Sequence, residues 1–161
     1  MAIGRLDEQS EGLLLLTTDG RVSEHIRSRK IEKEYYAQLN GMITSEAIEQ
    51  LQVGVEIGIR DVKYQTKPCK VFRLDNDPGF APRTRKIRDD RHGPTSWISI
   101  TLTEGKNRQV RKMTAAAGFP TLRLVRVRIG NILLDDLPAG ETRVVESLSV
   151  IAAELPAQQE N

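Results

Sequence analysis

Apolar positions come in short bursts along this chain, and the period of each burst predicts an element. Leu13 to Leu16 is an unbroken apolar run of strand length, preceded by an acidic turn and by Gly12, which permits a sharp reversal. Thr17-Thr18-Asp19-Gly20 signals a turn, and Asp19 can cap a short helix with Val22 and Ile26 on one face. Arg27, Arg29 and Lys30 close that helix with positive charge, which suits the negative end of its dipole. Lys33 to Asn40 reads as a strand ended by Asn40-Gly41, with Tyr35, Ala37 and Leu39 on an inward face and Tyr36 on the other. A second helix follows, capped by Thr44 and burying Ala47, Ile48 and Leu51.

Strand-like pieces broken by Gly54, Gly58 and Pro68 fill Val53 to Leu74. From Asp75 to Pro94 there is no periodicity, only Pro, Gly, Arg and Asp; a long irregular insertion of this kind is either functional or loose. Ser96 to Thr103 alternates cleanly and predicts a strand that faces a core on one side only. Glu104-Gly105 turns it, and Asn107 can cap a helix from Arg108 to about Ala117, stopped by Gly118 and Pro120. Val110, Met113 and Ala117 form its buried stripe, with Arg108, Arg111 and Lys112 on another. Leu122 to Ile129 is again a strand, whose alternation slips between Leu124 and Val125 as at a bulge, and Arg126 and Arg128 are expected on one face of it. A last strand is predicted over Thr142 to Val145, a short helix over Ser147 to Leu155, and a loose polar tail over Pro156 to Asn161. Strands separated both by turns and by helices predict an α+β fold, a largely antiparallel mixed sheet flanked by helices, as one domain over residues 1–161 with a basic loop at about 75–95.

Composition narrows the class. With 161 residues, 39% of them hydrophobic and 29% charged, the chain can bury a proper core. It has no apolar run long enough for a membrane helix and no charged-then-apolar leader, so neither a span nor a signal peptide is expected. Cys69 is the single cysteine, which leaves no internal disulfide and reads as a cytoplasmic protein; His25, His92 and Cys69 lie too far apart to suggest a metal site. The formal net charge of +2 conceals an asymmetry. Five basic residues lie between Ala81 and Gly93, and seven lie between Glu104 and Gly130 against Glu104 alone, whereas acids dominate after Gly130. Two basic blocks with an acidic remainder point to a polyanion-binding surface.

Three stretches carry candidate chemistry. The first, Gly4-Arg5-Leu6-Asp7-Glu8-Gln9-Ser10-Glu11-Gly12-Leu13-Leu14-Leu15-Leu16-Thr17, would hold Asp7 at a rigid edge, although an acidic turn by itself need only solvate a hairpin. The second is Lys33-Glu34-Tyr35, where the residues alone suggest a core tyrosine with a satisfied hydroxyl. The third is Glu104-Gly105-Lys106-Asn107-Arg108-Gln109-Val110-Arg111-Lys112-Met113, which alone could be a surface helix binding phosphate. Together and in this order they resemble the ribosomal RNA pseudouridine synthases of the RsuA type, and look nearest to the RluE-like branch that modifies large-subunit RNA. The likeness runs from Gly4 to about Val145.

The resemblance implies the pseudouridine synthase catalytic fold, ribosomal RNA as partner, and no metal, nucleotide or redox cofactor. It makes Asp7 the catalytic carboxylate, which either attacks a sugar carbon or removes a sugar proton. It sets Tyr35 over the target base, makes Arg111 the partner of Asp7, and brings Val110 near the base. Arg5 would fill the space that the flipped uridine vacates, and Lys106, Arg108, Lys112, Arg126 and Arg128 would contact RNA. A guanidinium beside Asp7 would lower its pKa and keep it ionised. The family commonly carries an N-K-P type strand, and often a separate RNA-binding domain, ahead of R-L-D. A chain lacking them is expected to expose a sheet edge, as a monomer or as copies associated through that edge. Two other readings stay open: a non-catalytic RNA-binding module or inactive fragment, and a hydrolase built from Asp7, Ser10 and His25, which would lack the G-x-S-x-G elbow.

Overall fold

Residues 1–28, 30–83 and 93–145 are described by the structure, a computed structural model. In chain order the elements are β1 (Ala2–Ile3), β2 (Glu11–Gly12), β3 (Leu15–Leu16), α1 (Gly20–Ser28), β4 (Lys33–Asn40), α2 (Ser45–Val53), β5 (Glu56–Ile59), β6 (Val62–Gln65), β7 (Lys70–Arg73), β8 (Thr95–Leu102), α3 (Gln109–Ala116), β9 (Thr121–Ile129) and β10 (Ile132–Leu133). The longest alternating stretches make the centre of the main sheet, whose order is β10-β9-β4-β8-β7, all antiparallel. β2 adds to β9 in parallel, and β1-β3 and β5-β6 form separate two-stranded ribbons. The α+β architecture with a mixed, largely antiparallel sheet is thus the one expected.

Register decides which side chains share a face. Ala37 sits between Ile98 and Leu124, and Tyr35 between Ile100 and Arg126, so one face of the sheet runs from a packed core toward a polar end. That core holds Leu39, Ala47, Leu51, Ile98, Ile100, Val110 and Met113, contributed by β4, β8, α2 and α3. Thr44 caps α2 by accepting from the Ala47 N–H at 3.2 Å, and Asp19 caps α1 by accepting from Arg21 at 2.9 Å. A smaller cluster of Ile3, Leu13, Leu15, Ile26, Ile31 and Ile129 joins the amino-terminal ribbon and α1 to the end of β9. Among the described residues no helix is long and apolar enough to cross a membrane.

Several local expectations are corrected. β8 is buried on both faces, with Ser99 at 0% and Thr101 at 7% exposure, and Phe80 packs against Trp97 on the polar side. Ser99 tolerates this burial by donating to Glu34 at 2.6 Å. Asn107 does not cap α3; Arg108 occupies that position in a left-handed conformation, and the Gln109 side chain reaches back to accept from the Lys106 N–H at 3.0 Å. The irregularities of β9 fall at Val127 and Leu122 rather than between Leu124 and Val125. The first of them turns Arg126 and Arg128 to opposite faces, opposite Tyr35 and Glu34 respectively, so they do not share one. Thr142 to Val145 is coil, and the last pairing is the unforeseen β10 after the Gly130-Asn131 turn. The helix expected over Ser147 to Leu155, the tail after Pro156, Arg29 and the middle of the basic loop lie outside the described residues.

Gly12 serves close approach rather than reversal. It sits opposite Arg126 in the parallel pairing at φ +105°, and a Cβ there would lie 2.2 Å from the Arg126 carbonyl oxygen. The obstacle is backbone, so neither chain can yield cheaply. Gly12→Ala is expected to cost about 2 kcal/mol or more in urea unfolding, by strain and by loss of the β2-β9 bridge.

Candidate active site

The segment between β1 and β3 is fastened at both ends, and that is what fixes Asp7. On the amino-terminal side Ile3 pairs with Leu15. On the other, Leu13 donates its N–H to the Arg126 carbonyl at 2.8 Å, and the Arg126 Nε donates to the Leu13 carbonyl at 2.8 Å. Within the loop, Asp7 Oδ1 accepts from the Gln9 N–H at 2.9 Å while its carbonyl accepts from Ser10 at 3.0 Å, an Asx-type turn that leaves Oδ2 facing α3.

Arg111 Nε lies 3.3 Å from Asp7 Oδ2, and its Nη2 donates to Ser10 Oγ at 3.4 Å. Arg108 Nη1 is 3.4 Å from the same oxygen. The two pairs differ in weight, because the Arg111 side chain is 11% exposed and that of Arg108 is 41% exposed, where water and salt screen it. Arg108 holds its position with φ +50°, a strained start to α3 of the kind that clusters at functional sites. Burial pushes the Asp7 carboxyl up, but hydrogen bonding from Ser10, the Arg111 charge, the Gln9 N–H and the Arg108 charge together outweigh it. The net effect holds Asp7 below the ordinary aspartate value, as the sequence resemblance implied for an aspartate beside an arginine.

Asp7 opens onto a cleft of about 1040 Å³ at the polar end of the core face. Arg5, Tyr35, Lys106, Arg108, Val110 and Arg126 line it too, so seven of the ten expected site residues meet at one place. Arg111 backs the cleft through its contact with Asp7 rather than lining it. Lys112 and Arg128 are not brought to it. Arg128 pairs on the opposite sheet face with Glu34 at 3.2 Å and Glu32 at 3.7 Å, and donates to the Gly130 carbonyl. His25 is exposed on α1 and does not line the cleft, so among the described residues no histidine stands there to serve Ser10 as the base of a hydrolase.

Three polar residues were passed over by the sequence reading. Glu104 accepts from the Tyr64 hydroxyl, from the Lys67 N–H at 2.8 Å and from Gln109 Nε2 at 2.9 Å, which ties the β5-β6 ribbon to the start of α3. Burial pushes the Glu104 carboxyl up, and these three bonds more than reverse it. Glu11 accepts from Nε and Nη2 of Arg123, at 2.8 and 2.9 Å, and pairs with Arg83 at 3.4 Å. Arg83 also donates to the Gln9 carbonyl at 3.0 Å, and Arg123 to that of Ala81 at 2.7 Å. The base of the basic loop is thereby moored to the Asp7 loop. Lys33 lines the cleft beside Tyr35 although only the tyrosine of that stretch had been given a role. Glu11, Lys33 and Glu104 each lie inside a motif, but nothing in linear spacing shows that Glu11 meets Arg123 or that Glu104 meets Tyr64.

With this geometry in hand, likeness to known proteins becomes specific. The family described as RNA pseudouridylate synthase matches residues 1–116. The chain is 44% identical over 138 residues to the ribosomal large subunit pseudouridine synthase E of Xanthomonas axonopodis pv. citri, covering 84% of this chain and 70% of that one. To the protein of the same name from Vibrio parahaemolyticus it is 42% identical over 147 residues, covering 90% of this chain and 60% of the relative. A solved pseudouridylate synthase superposes with a TM-score of 0.72 at 31% identity, over 94% of this chain and 57% of that one. The chain therefore spans between about half and three quarters of these proteins. By matched extent, identity and fold, the chain belongs to the RNA pseudouridylate synthase family.

Proposed function

We propose that this chain isomerises a uridine of ribosomal RNA to pseudouridine, with large-subunit RNA as its substrate. The observation that carries the reading is Asp7, held ionised by the Ser10 hydrogen bond and the Arg111 charge at the mouth of a cleft lined by Tyr35 and Val110. The choice of large-subunit RNA draws on the relatives, which are named for it.

The reaction breaks the bond between uracil N1 and ribose C1′, with the electron pair leaving on the base. The ring turns, C5 bonds to C1′, and the proton on C5 is lost while N1 gains one, so that substrate and product are isomers. An ionised Asp7 can bond to C1′ or take a proton from C2′, and both routes require its negative charge. Tyr35, on the inward face of β4, offers a flat surface for a flipped base, and Val110 offers an apolar wall. Arg5, Lys106 and Arg108 at the cleft would take phosphates or fill the gap in the stacked RNA. Lys112 and Arg128 would then act on RNA only at longer range. We place the activity in the cytoplasm, where ribosomal RNA is assembled, and in a monomer. Lys70 and Arg73 put charge on the edge strand β7, and β10 is only two residues long, both of which discourage edge pairing.

The test is pseudouridine mapping, by chemical adduct and primer extension, on unmodified ribosomal RNA. A stop that requires this chain would establish the reaction and name the position. Asp7→Ala should lower the single-turnover rate by roughly a thousandfold or more. Modification that survives Asp7→Ala would overturn the mechanism, and binding without modification by the unsubstituted chain would favour an RNA-binding module.

A second expectation concerns pH. Because the Asp7 pKa is held below its ordinary value, its ionised form persists as pH falls and is lost only on passing the depressed value. Arg111→Gln removes one of the groups that depress it. The acid limb of the single-turnover rate should therefore move to higher pH, whereas Lys112→Gln should leave it in place.

A further inference from the structure

Two cations meet at the cleft with too little negative charge around them. Lys33 and Tyr35 point to the same face of β4, and Arg126 lies directly across from Tyr35 on β9. Arg126 is 5% exposed. Its Nε is committed to the Leu13 carbonyl, but its Nη2 is shut off from water without any hydrogen-bond partner. Leaving a buried charged donor unpaired is costly, and such exceptions call for a reason. Lys33 lines the cleft itself, and among the described residues no hydrogen bond or ion pair takes up its ammonium. Burial lowers the Lys33 pKa, the Arg126 charge lowers it further, and Glu104 alone opposes them. Glu104 is already occupied by Tyr64, Lys67 and Gln109. Negative charge entering the cleft would relieve both cations.

We propose that Lys33, backed by the buried guanidinium of Arg126, stabilises the uracil ring as an anion while it is detached from ribose. This inference rests on the functional reading above. When the N1–C1′ bond breaks, its electron pair leaves with the ring, and the charge spreads over N1 and the two carbonyl oxygens. Turning the ring to present C5 interchanges the places of those two oxygens. A fixed cation beside one carbonyl position therefore meets O2 before the turn and O4 after it, and serves bond breaking and bond making alike. Lys33 is the contacting group. Arg126 acts through the low-dielectric floor, where an unpaired charge is felt more strongly than at the surface. The positioning of Arg126 also makes it part of the Asp7 support, since the same side chain holds Leu13.

The rival ligand for such a pair is a backbone phosphate, and the experiment separates the two. Single-turnover pseudouridine formation would be measured at saturating protein on unmodified ribosomal RNA, together with the RNA dissociation constant, for the unsubstituted chain, Lys33→Met and Lys33→Arg. Lys33→Met should lose about a hundredfold in the saturated rate, as removal of a single oxyanion donor does, with RNA affinity changed by less than about twofold. Lys33→Arg, which keeps the charge, should recover most of that loss. A saturated rate unchanged in Lys33→Met overturns the proposal. So does a loss confined to RNA affinity, which would assign Lys33 to a phosphate. A fall in rate that Lys33→Arg does not recover, accompanied by a lowered melting temperature in both variants, overturns it in favour of a packing role. Absence of pseudouridine with the unsubstituted chain is a different failure: it removes the functional reading, and this inference with it.

Discussion

The contact on which everything else depends is the junction of the Asp7 loop with the middle of β9. Gly12 and Leu13 lie against Arg126 so closely that only a residue without a side chain fits at position 12, and both the carbonyl and the Nε of Arg126 hydrogen-bond Leu13 there. β9 is in turn zipped to β4 along nearly its whole length. The loop that carries Asp7 is thus attached to the centre of the main sheet. A carboxylate on a free loop would lose its position to conformational entropy; here that cost is met in folding, before any substrate arrives.

Fixing Asp7 from one side would not fix its charge state. It is set from both sides: Ser10 and the Gln9 N–H hydrogen-bond Asp7 within its own loop, and the start of α3 brings Arg111 and Arg108 to one carboxylate oxygen. The start of α3 is in turn set by Glu104, which draws Gln109 and the β5-β6 ribbon together. Two distant pieces of sequence, 104 residues apart at the Asp7–Arg111 contact, are therefore each braced by their own polar network. Because each brace is independent, the 3.3 Å contact does not have to hold the two halves together. It can be tuned for the ionisation of Asp7.

Much of this was legible in the sequence, and the reasons are local. α2 announces itself through Thr44 and its apolar stripe, and β4 through the alternation of Tyr35, Ala37 and Leu39, because capping and period report on the nearest neighbours in the chain. The Asp7–Arg111 meeting could be anticipated only from a family likeness, since no periodicity links residues so far apart. Features that depend on the far side of a contact were misread. β8 alternates like a half-exposed strand, yet Ser99 and Thr101 are buried and Phe80 packs on Trp97 of the same face, and alternation cannot show what a loop will cover. The arginines 126 and 128 count as one face by period two, and a single extra residue at Val127 separates them.

That separation matters for charge more than for shape. Nearly every acid near the site is consumed by a cation behind it: Glu11 by Arg123 and Arg83, Glu34 and Glu32 by Arg128, and Asp7 itself by Arg111. Had Arg128 shared the face of Arg126, Glu34 would stand unpaired against the buried Ser99, and the cleft would hold one more cation crowding Lys33. With Arg128 turned away, the acids are neutralised on the closed side of the sheet. What remains open to the cleft is basic: Arg5, Lys33, Lys106 and Arg108. A protein with a net charge of only +2 thereby presents a concentrated positive field at the cleft, without the solubility and stability penalties of being basic everywhere.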